Sequence, residues 1–252
     1  MTDTDKDWRI WGETDPYYGV VAAPEFRREQ VDLDHFLHTG EAYILGRLAR
    51  LERMLGAVSR GRTLDFGCGV GRVALPLGAQ FAEVIGLDIS PAMLAEGERL
   101  RQERGVDNVH FRSSDDRLSG AEGSFDFVHS YIVFQHIPVD RGMRLIGGLL
   151  DKVAVGGLLS IHVAIRRGDS PAKAFFYRAR TRVPGLQRLV HRLRGKKASE
   201  PMMQMNEYPA SLIFSMLHLR GFGQAVVDVE RHGRFLTMHI AARREAMTER
   251  TV

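Results

Sequence analysis

Apolar positions recur along this chain with two different periods. Over about Phe36 to Arg60, Ile44, Leu48, Leu51 and Leu55 return every three or four residues, the spacing of one helical face. Downstream, short apolar runs alternate with helix-like stretches. "RTLDF" predicts a buried strand, followed by a glycine turn and a helix from about Gly69 to Gln80. "EVIGLDI" predicts a second strand. Ser90-Pro91 then supplies an N-cap and a proline at the first helical position, opening a helix to about Arg104. "NVHFRS" and "FDFVHSYIVF" predict the third and fourth strands. Pro138 starts a helix with Met143, Ile146, Leu150 and Val153 on one face, and Gly156-Gly157 turns into a fifth strand, "LLSIHVAI". After an interruption, "YPASLIFSMLHLRGF" reads as a helix that stops at Gly221. "QAVVDVE" and "RFLTMHIAA" are two strands whose short link, "RHG", allows a hairpin. Strands alternating with helices imply an α/β fold, a parallel sheet covered on both faces, with right-handed connections.

Two segments stand outside this alternation. Residues 1–35, polar and aromatic with Trp8, Trp11, Tyr17 and Tyr18 around Pro16, show no clear period and read as a helical arm or lid. The second is a basic insertion, residues 166–205. The formal net charge of +4 hides it: Arg166 to Lys197 holds eleven Lys/Arg and one acid, leaving the rest of the chain acidic. Within it Leu186, Leu189, Val190 and Leu193 fall on one helical face with arginines on the others. That pattern suits an amphipathic helix that covers a substrate, touches a membrane surface over 166–197, packs on the domain, or meets a second subunit in a homodimer. Basic charge without a nucleic-acid-binding module makes a nucleic-acid partner the weaker reading.

The remaining composition narrows the class. One cysteine, Cys68, excludes an internal disulfide and a cysteine-built zinc site. The acidic start, "MTDTDKDWRI", is no secretory signal, and the longest apolar stretch is broken by Asp151, Lys152 and glycine pairs. A cytoplasmic protein is expected, peripheral at a membrane surface if the basic segment binds there.

"TLDFGCGVGR" carries the chemistry. Gly67, Gly69 and Gly71 lie between a strand and a helix, where a ligand approaches the backbone closely. A phosphate-binding loop would need Gly-Lys-Ser/Thr, and a dinucleotide loop would need a small residue where Arg72 stands. Asp65, just before the turn, would repel a pyrophosphate but suits a ligand bearing an ammonium and a sulfonium. S-adenosylmethionine is such a ligand. Asp88 ends the second strand, where an acid accepts ribose hydroxyls. Ile89 and Met93 can sandwich the adenine, and Asp115 and Asp116, after the third strand, can accept from its amino group. Arg72 and Ser130 complete the candidate cofactor set.

These residues resemble the class I S-adenosylmethionine-dependent methyltransferases over about residues 40 to 165. "LDFGCGVGR" is similar to their first motif, "GLDISPAML" to the second, "SSDD" to the third, and "SFDFVHSYIVFQHIP" to the fourth strand and its loop. The resemblance implies a Rossmann-like, doubly wound sheet of seven strands in the order 3-2-1-4-5-7-6, strand 7 antiparallel, over residues 36–252. It implies that Asp65 and Gly67 face the methionine part, Asp88 the ribose and Asp115 the adenine. The loop after the fourth strand then faces the transferred methyl. It carries His129, Ser130, Tyr131, Gln135 and His136. His136 is the first choice for a general base, with Tyr131 and Gln135 beside it. His162 and His239, on strands, read as satisfied core or rim histidines. "SYIVFQ" lacks the Asn/Asp-Pro-Pro-aromatic turn of enzymes acting on base amino groups, and that loop has neither a cysteine nucleophile nor paired acids for magnesium. The expected reaction is O-methylation of a small-molecule, glycan or lipid-linked acceptor without a metal. An RNA methyltransferase using the basic segment, or a regulatory protein that binds the cofactor without chemistry, are the alternatives.

Overall fold

The computed structural model describes residues 4–168, 201 and 203–246. Most of the basic insertion, including the stripe from Leu186 to Leu193, lies outside the described residues. Helices α1 (Thr4–Thr14) and α2 (Pro16–Val20) form the arm, and α3 (Leu33–Leu55) follows. Then come β1 (Arg62–Phe66), a short α4 (Ala74–Leu77), β2 (Glu83–Asp88), α5 (Pro91–Glu103), β3 (Val109–Ser113) and β4 (Phe125–Ser130). Next are α6 (Val139–Lys152), β5 (Val153–Arg167), α7 (Ala210–His218), β6 (Phe222–His232) and β7 (Phe235–Arg244). The strands form one sheet in the order β3-β2-β1-β4-β5-β7-β6. β7 runs antiparallel to both β5 and β6, as the resemblance implied.

Local signals fix most element ends. The Asp32 side chain accepts from His35 N at 3.1 Å to cap α3, which stops at Gly56 with φ 88°. Ser90 caps α5, with Pro91 at its first position. The helix expected over Gly69 to Gln80 shrinks to α4, because Gly69 and Gly71 stand at positive φ and Pro76 has no N–H to donate. β4 ends at Ser130, so His129 is a strand residue and the loop starts at Tyr131.

Period-two alternation gives the sheet two different faces. One carries Leu64, Phe66, Val128, Leu159, Ile161, Val163, Met238 and Ile240, packed with α6 and α7 into an apolar core. The other packs on α3 through Val84, Phe127, Leu158 and Ala241. Toward the strands' carboxyl ends that second face turns polar, with Asp65 opposite His129 and His162 opposite His239. Among the described residues, no helix is long and apolar enough to cross a membrane.

Candidate functional site

A cleft of about 970 Å³, counting its open mouth, lies over the carboxyl ends of β1, β2 and β4. That is where an open α/β sheet binds ligands, at its change of strand order. Its floor is the turn after β1. Gly67, Gly69 and Gly71 have φ of 76°, 55° and 86°. Space forbids side chains too: a Cβ on Gly67 would sit 2.3 Å from Val133 Cγ2, and one on Gly69 2.5 Å from Val20 Cγ2. Gly67 N and Cys68 N both donate to Leu87 O, so these amides are not free to cradle a phosphate.

Three strand tips bring polar groups to this floor. Asp88 accepts from Gly69 N and Ser90 N, one on each carboxylate oxygen, both at 2.9 Å. Burial still pushes its pKa up, to about 6. Asp65 is 3% exposed; its Oδ1 accepts from His129 Nδ1 at 3.0 Å, and its Oδ2 has no protein partner. Arg72 is 7% exposed, its Nε has no partner, and its Nη1 reaches only Thr39 Oγ1 at 3.3 Å. A buried carboxylate oxygen and a buried guanidinium N–H thus stand unanswered at one end of the cleft. Leaving such groups unpaired costs several kcal/mol, on the order of a large share of a domain's stability.

The arm is the roof. Thr4, Asp5, Trp8, Gly19 and Val20 line the cleft. Thr4 Oγ1 donates to His136 O at 2.8 Å, and the Trp8 ring lies 4.9 Å from that of His136. Tyr17 and Tyr18 point away from the cleft: the Tyr17 hydroxyl donates to Glu96, and Tyr18 lies under the Arg27 guanidinium. The wall is the loop after β4, where Tyr131, Ile132, Val133 and His136 face inward. His136 Nδ1 donates to Gln204 O at 2.6 Å, which fixes the tautomer and leaves Nε2 as an acceptor. Burial holds its pKa down at about 4, so the ring is neutral near neutral pH.

Of the residues proposed from sequence, Asp65, Gly67, Gly69, Arg72, Asp88, Ile89, Met93, Asp115, Tyr131 and His136 meet in this cleft. Gly71, Asp116, Ser130 and Gln135 do not line it. Gly71 packs on Phe111, and Asp116 pairs with Arg141, itself a wall residue. Ser130 Oγ donates to Phe66 O at 2.9 Å. Gln135 is buried, and its carbonyl accepts from Asn206 N. Asp115 lines the cleft but spends Oδ1 on Arg117 N and Ser119 N of its own turn. The sequence reading missed the roof residues Trp8 and Val20 and the pairing of His129 with Asp65. That pair was signalled by "TLD" and "VHS", polar positions at matching heights on neighbouring strands. His162 is not a satisfied core histidine, since its buried Nδ1 has no partner.

Comparison with known proteins agrees with this geometry. Residues 63–157 match the family described as "Methyltransferase domain". A 23S rRNA (uracil(1939)-C(5))-methyltransferase of Aeromonas salmonicida is 41% identical over 66 residues, 26% of this chain and 15% of that protein. A ubiquinone biosynthesis O-methyltransferase of Acinetobacter baumannii is 29% identical over 94 residues, 36% of this chain and 40% of that protein. The chain therefore spans less than half the length of these curated relatives. Among solved structures, the magnesium protoporphyrin IX methyltransferase of Synechocystis with bound SAM superposes with a TM-score of 0.60 at 18% identity, over 97% of this chain and 99% of that one. A phosphoethanolamine N-methyltransferase of Haemonchus contortus, in complex with phosphomonomethylethanolamine and S-adenosylhomocysteine, gives 0.56 at 17% identity, covering 82% of this chain and 57% of that one. With its strand order, glycine turn and matched residues 63–157, the chain carries a domain of the class I S-adenosylmethionine-dependent methyltransferase family.

Proposed function

We propose that this protein transfers the methyl group of S-adenosylmethionine to a hydroxyl of a small-molecule, glycan or lipid-linked acceptor. The observation that carries the reading is the pair of unanswered charges, Asp65 Oδ2 and Arg72 Nε. An α-amino acid presents an ammonium and a carboxylate a few bonds apart, and these two groups answer both. Asp88 takes the ribose hydroxyls, and Ile89 and Met93 flank the adenine, with Asp115 at its edge. The bound donor supplies an electrophilic methyl on a sulfonium, already a good leaving group. What the chain adds is position: a wall that holds the acceptor oxygen in line and a roof that keeps water out.

Tyr131 and His136 are the acceptor-side residues of this proposal. A neutral His136 with a bare Nε2 accepts the acceptor's hydrogen bond and orients it. With its pKa near 4 it holds the hydroxyl better than it keeps a proton. Cys68, the only cysteine, is buried with its thiol pushed up by burial, which disfavours a mechanism through a thiolate. The test is release of S-adenosylhomocysteine from the purified protein with methyl-labelled donor across a panel of hydroxyl, thiol and amine acceptors. Product with hydroxyl acceptors is expected. Transfer only to RNA, or none to any acceptor while the donor binds, would overturn the O-methylation reading.

A further inference from the structure

The two faces of the sheet pose a question that the cofactor does not answer. The face toward α6 and α7 buries one large apolar cluster, with Ser130 at the tip of β4 as its buried polar side chain, hydrogen-bonded to Phe66 O. The face toward α3 buries Asp65, His129, Ser160, His162 and His239 in its carboxyl half. Burial costs such groups their hydration, so a sheet selected only for stability would carry aliphatic residues there. α3 answers this stripe with Tyr43 and Arg47, one turn apart, instead of two leucines.

These groups form a hydrogen-bonded chain that begins at the cofactor end of the cleft. Asp65, which lines the cleft, accepts from His129 Nδ1 through Oδ1 at 3.0 Å, and its buried Oδ2 has no protein partner. A carboxylate only accepts, so Nδ1 carries the hydrogen and Nε2 the lone pair. The Tyr43 hydroxyl lies 3.2 Å from His129 Nε2, and in that tautomer it donates. His129 is fully buried, whereas Tyr43 is half-buried. The Tyr43 ring stacks on Tyr131 at 4.1 Å between centroids and 17° between planes; Tyr131 lines the cleft, and Tyr43 stands directly behind it. Having given its hydrogen to His129, the Tyr43 oxygen keeps its lone pairs for another donor. Burial keeps the Tyr43 pKa well above 10, so it is no standing phenolate. Tyr131 and Asp65 push it up as well, against a weaker downward pull from Arg47 and Arg72, so Tyr43 passes a proton on as a neutral phenol.

We propose that Tyr43, His129 and Asp65 carry away the acceptor's proton, with Tyr43 meeting the acceptor oxygen past the edge of the Tyr131 ring and His129 and Asp65 acting behind it. This rests on the methyl-transfer reading. The acceptor oxygen bonds to the methyl carbon, and the broken carbon–sulfur bond leaves its electron pair on sulfur. The acceptor's O–H proton moves to the Tyr43 oxygen as Tyr43's own proton moves to His129 Nε2. One positive charge is lost at the sulfonium and one appears on the imidazolium, beside the Asp65 carboxylate. His136 and the chain then divide the work: one orients the hydroxyl, the other takes its proton.

The test has two arms. Nitrogen NMR of histidine-labelled protein saturated with S-adenosylhomocysteine reads the His129 tautomer without any acceptor. Hydrogen on Nδ1 with a bare Nε2, whose resonance shifts in Tyr43→Phe, is expected. Hydrogen on Nε2, or no shift in Tyr43→Phe, overturns the proposal. In the turnover arm, Tyr43→Phe removes one oxygen and keeps the ring. It should lower kcat for hydroxyl acceptors on the order of 100-fold or more, the usual reach of general base catalysis, with KM and S-adenosylhomocysteine affinity unchanged. A thiol acceptor, which ionises unaided near a pKa of about 8.5, should be spared. A hydroxyl kcat within about threefold of wild type would sink the proposal and leave the methyl-transfer reading standing. Failure of the wild type to bind S-adenosylhomocysteine would sink both.

Discussion

Lowering the pH from about 7 to about 5 should strip this protein of a large part of its stability, and the reason lies in three neutral imidazoles. Burial holds the pKa of His136 at about 4, His239 at about 3 and His162 at about 2, against an ordinary 6.5. A depressed histidine makes the unfolded chain the stronger proton binder. Its contribution is intact above 6.5 and drains away as the pH falls toward the folded value. At about pH 5 each unfolded histidine has gained about 2 kcal/mol from protonation while the folded rings remain neutral, about 6 kcal/mol for the three. The figure needs only that all three folded values lie below the working pH. Asp88 works the other way. Its folded pKa, raised to about 6, stabilises the fold as the pH drops through that value and returns about 1.5 kcal/mol by about pH 5. Carboxylates with depressed values, such as Asp228, contribute only in stronger acid. The net loss is about 4 kcal/mol, against a typical total of roughly 5–15 kcal/mol. Urea denaturation at the two pH values measures it. His162→Gln should shrink the loss by about 2 kcal/mol, because that ring no longer titrates in the unfolded chain. A stability flat to within about 1 kcal/mol would show that these imidazoles are hydrated or charged in the native state, and the argument from burial would fail.

Three substitutions probe the remaining structure. Arg72→Met should weaken S-adenosylhomocysteine binding about 10- to 100-fold, the worth of a charge-assisted contact, while adenosine, which lacks the carboxylate, binds both proteins alike in calorimetry. Gly67→Ala forces a side chain into the left-handed region and against Val133, costing about 2–4 kcal/mol, or roughly 5–15 °C in Tm; Val133→Ala should recover part of it. Arg47→Met removes the buried partner of Asp228 at 2.6 Å and should cost about 2–3 kcal/mol in urea denaturation, less than an isolated buried pair because Arg50 still holds the carboxylate.

What could be read from the sequence was whatever a short window encodes. The alternation of strands and helices, the glycine turn, Asp88 at a strand end and the Ser90-Pro91 cap are local signals, and the fold places each at its expected point. Side-chain direction is another matter, because it depends on register across the sheet. Ser130 and His129 are adjacent in sequence, yet one bonds to Phe66 O and the other to Asp65. Asp115 and Asp116 looked equivalent, but the tight turn after β3 turns the first inward and leaves the second to Arg141. Gln135 sits beside His136, and the segment around Asn206, far along the chain, decides that only the histidine meets the cleft. The arm shows the same limit. Trp8 and Trp11 gave no clear period, since α1 packs one face on α5 and turns another to the cleft.

The most direct measurement is a calorimetric titration of the purified protein with S-adenosylhomocysteine, with NAD as the competing ligand. One molecule should bind per chain, with the heat lost in Asp88→Ala and NAD giving none. No heat with S-adenosylhomocysteine or S-adenosylmethionine, together with saturable binding of NAD, would contradict the central claim that these three strand tips grip an amino-acid-bearing adenosine.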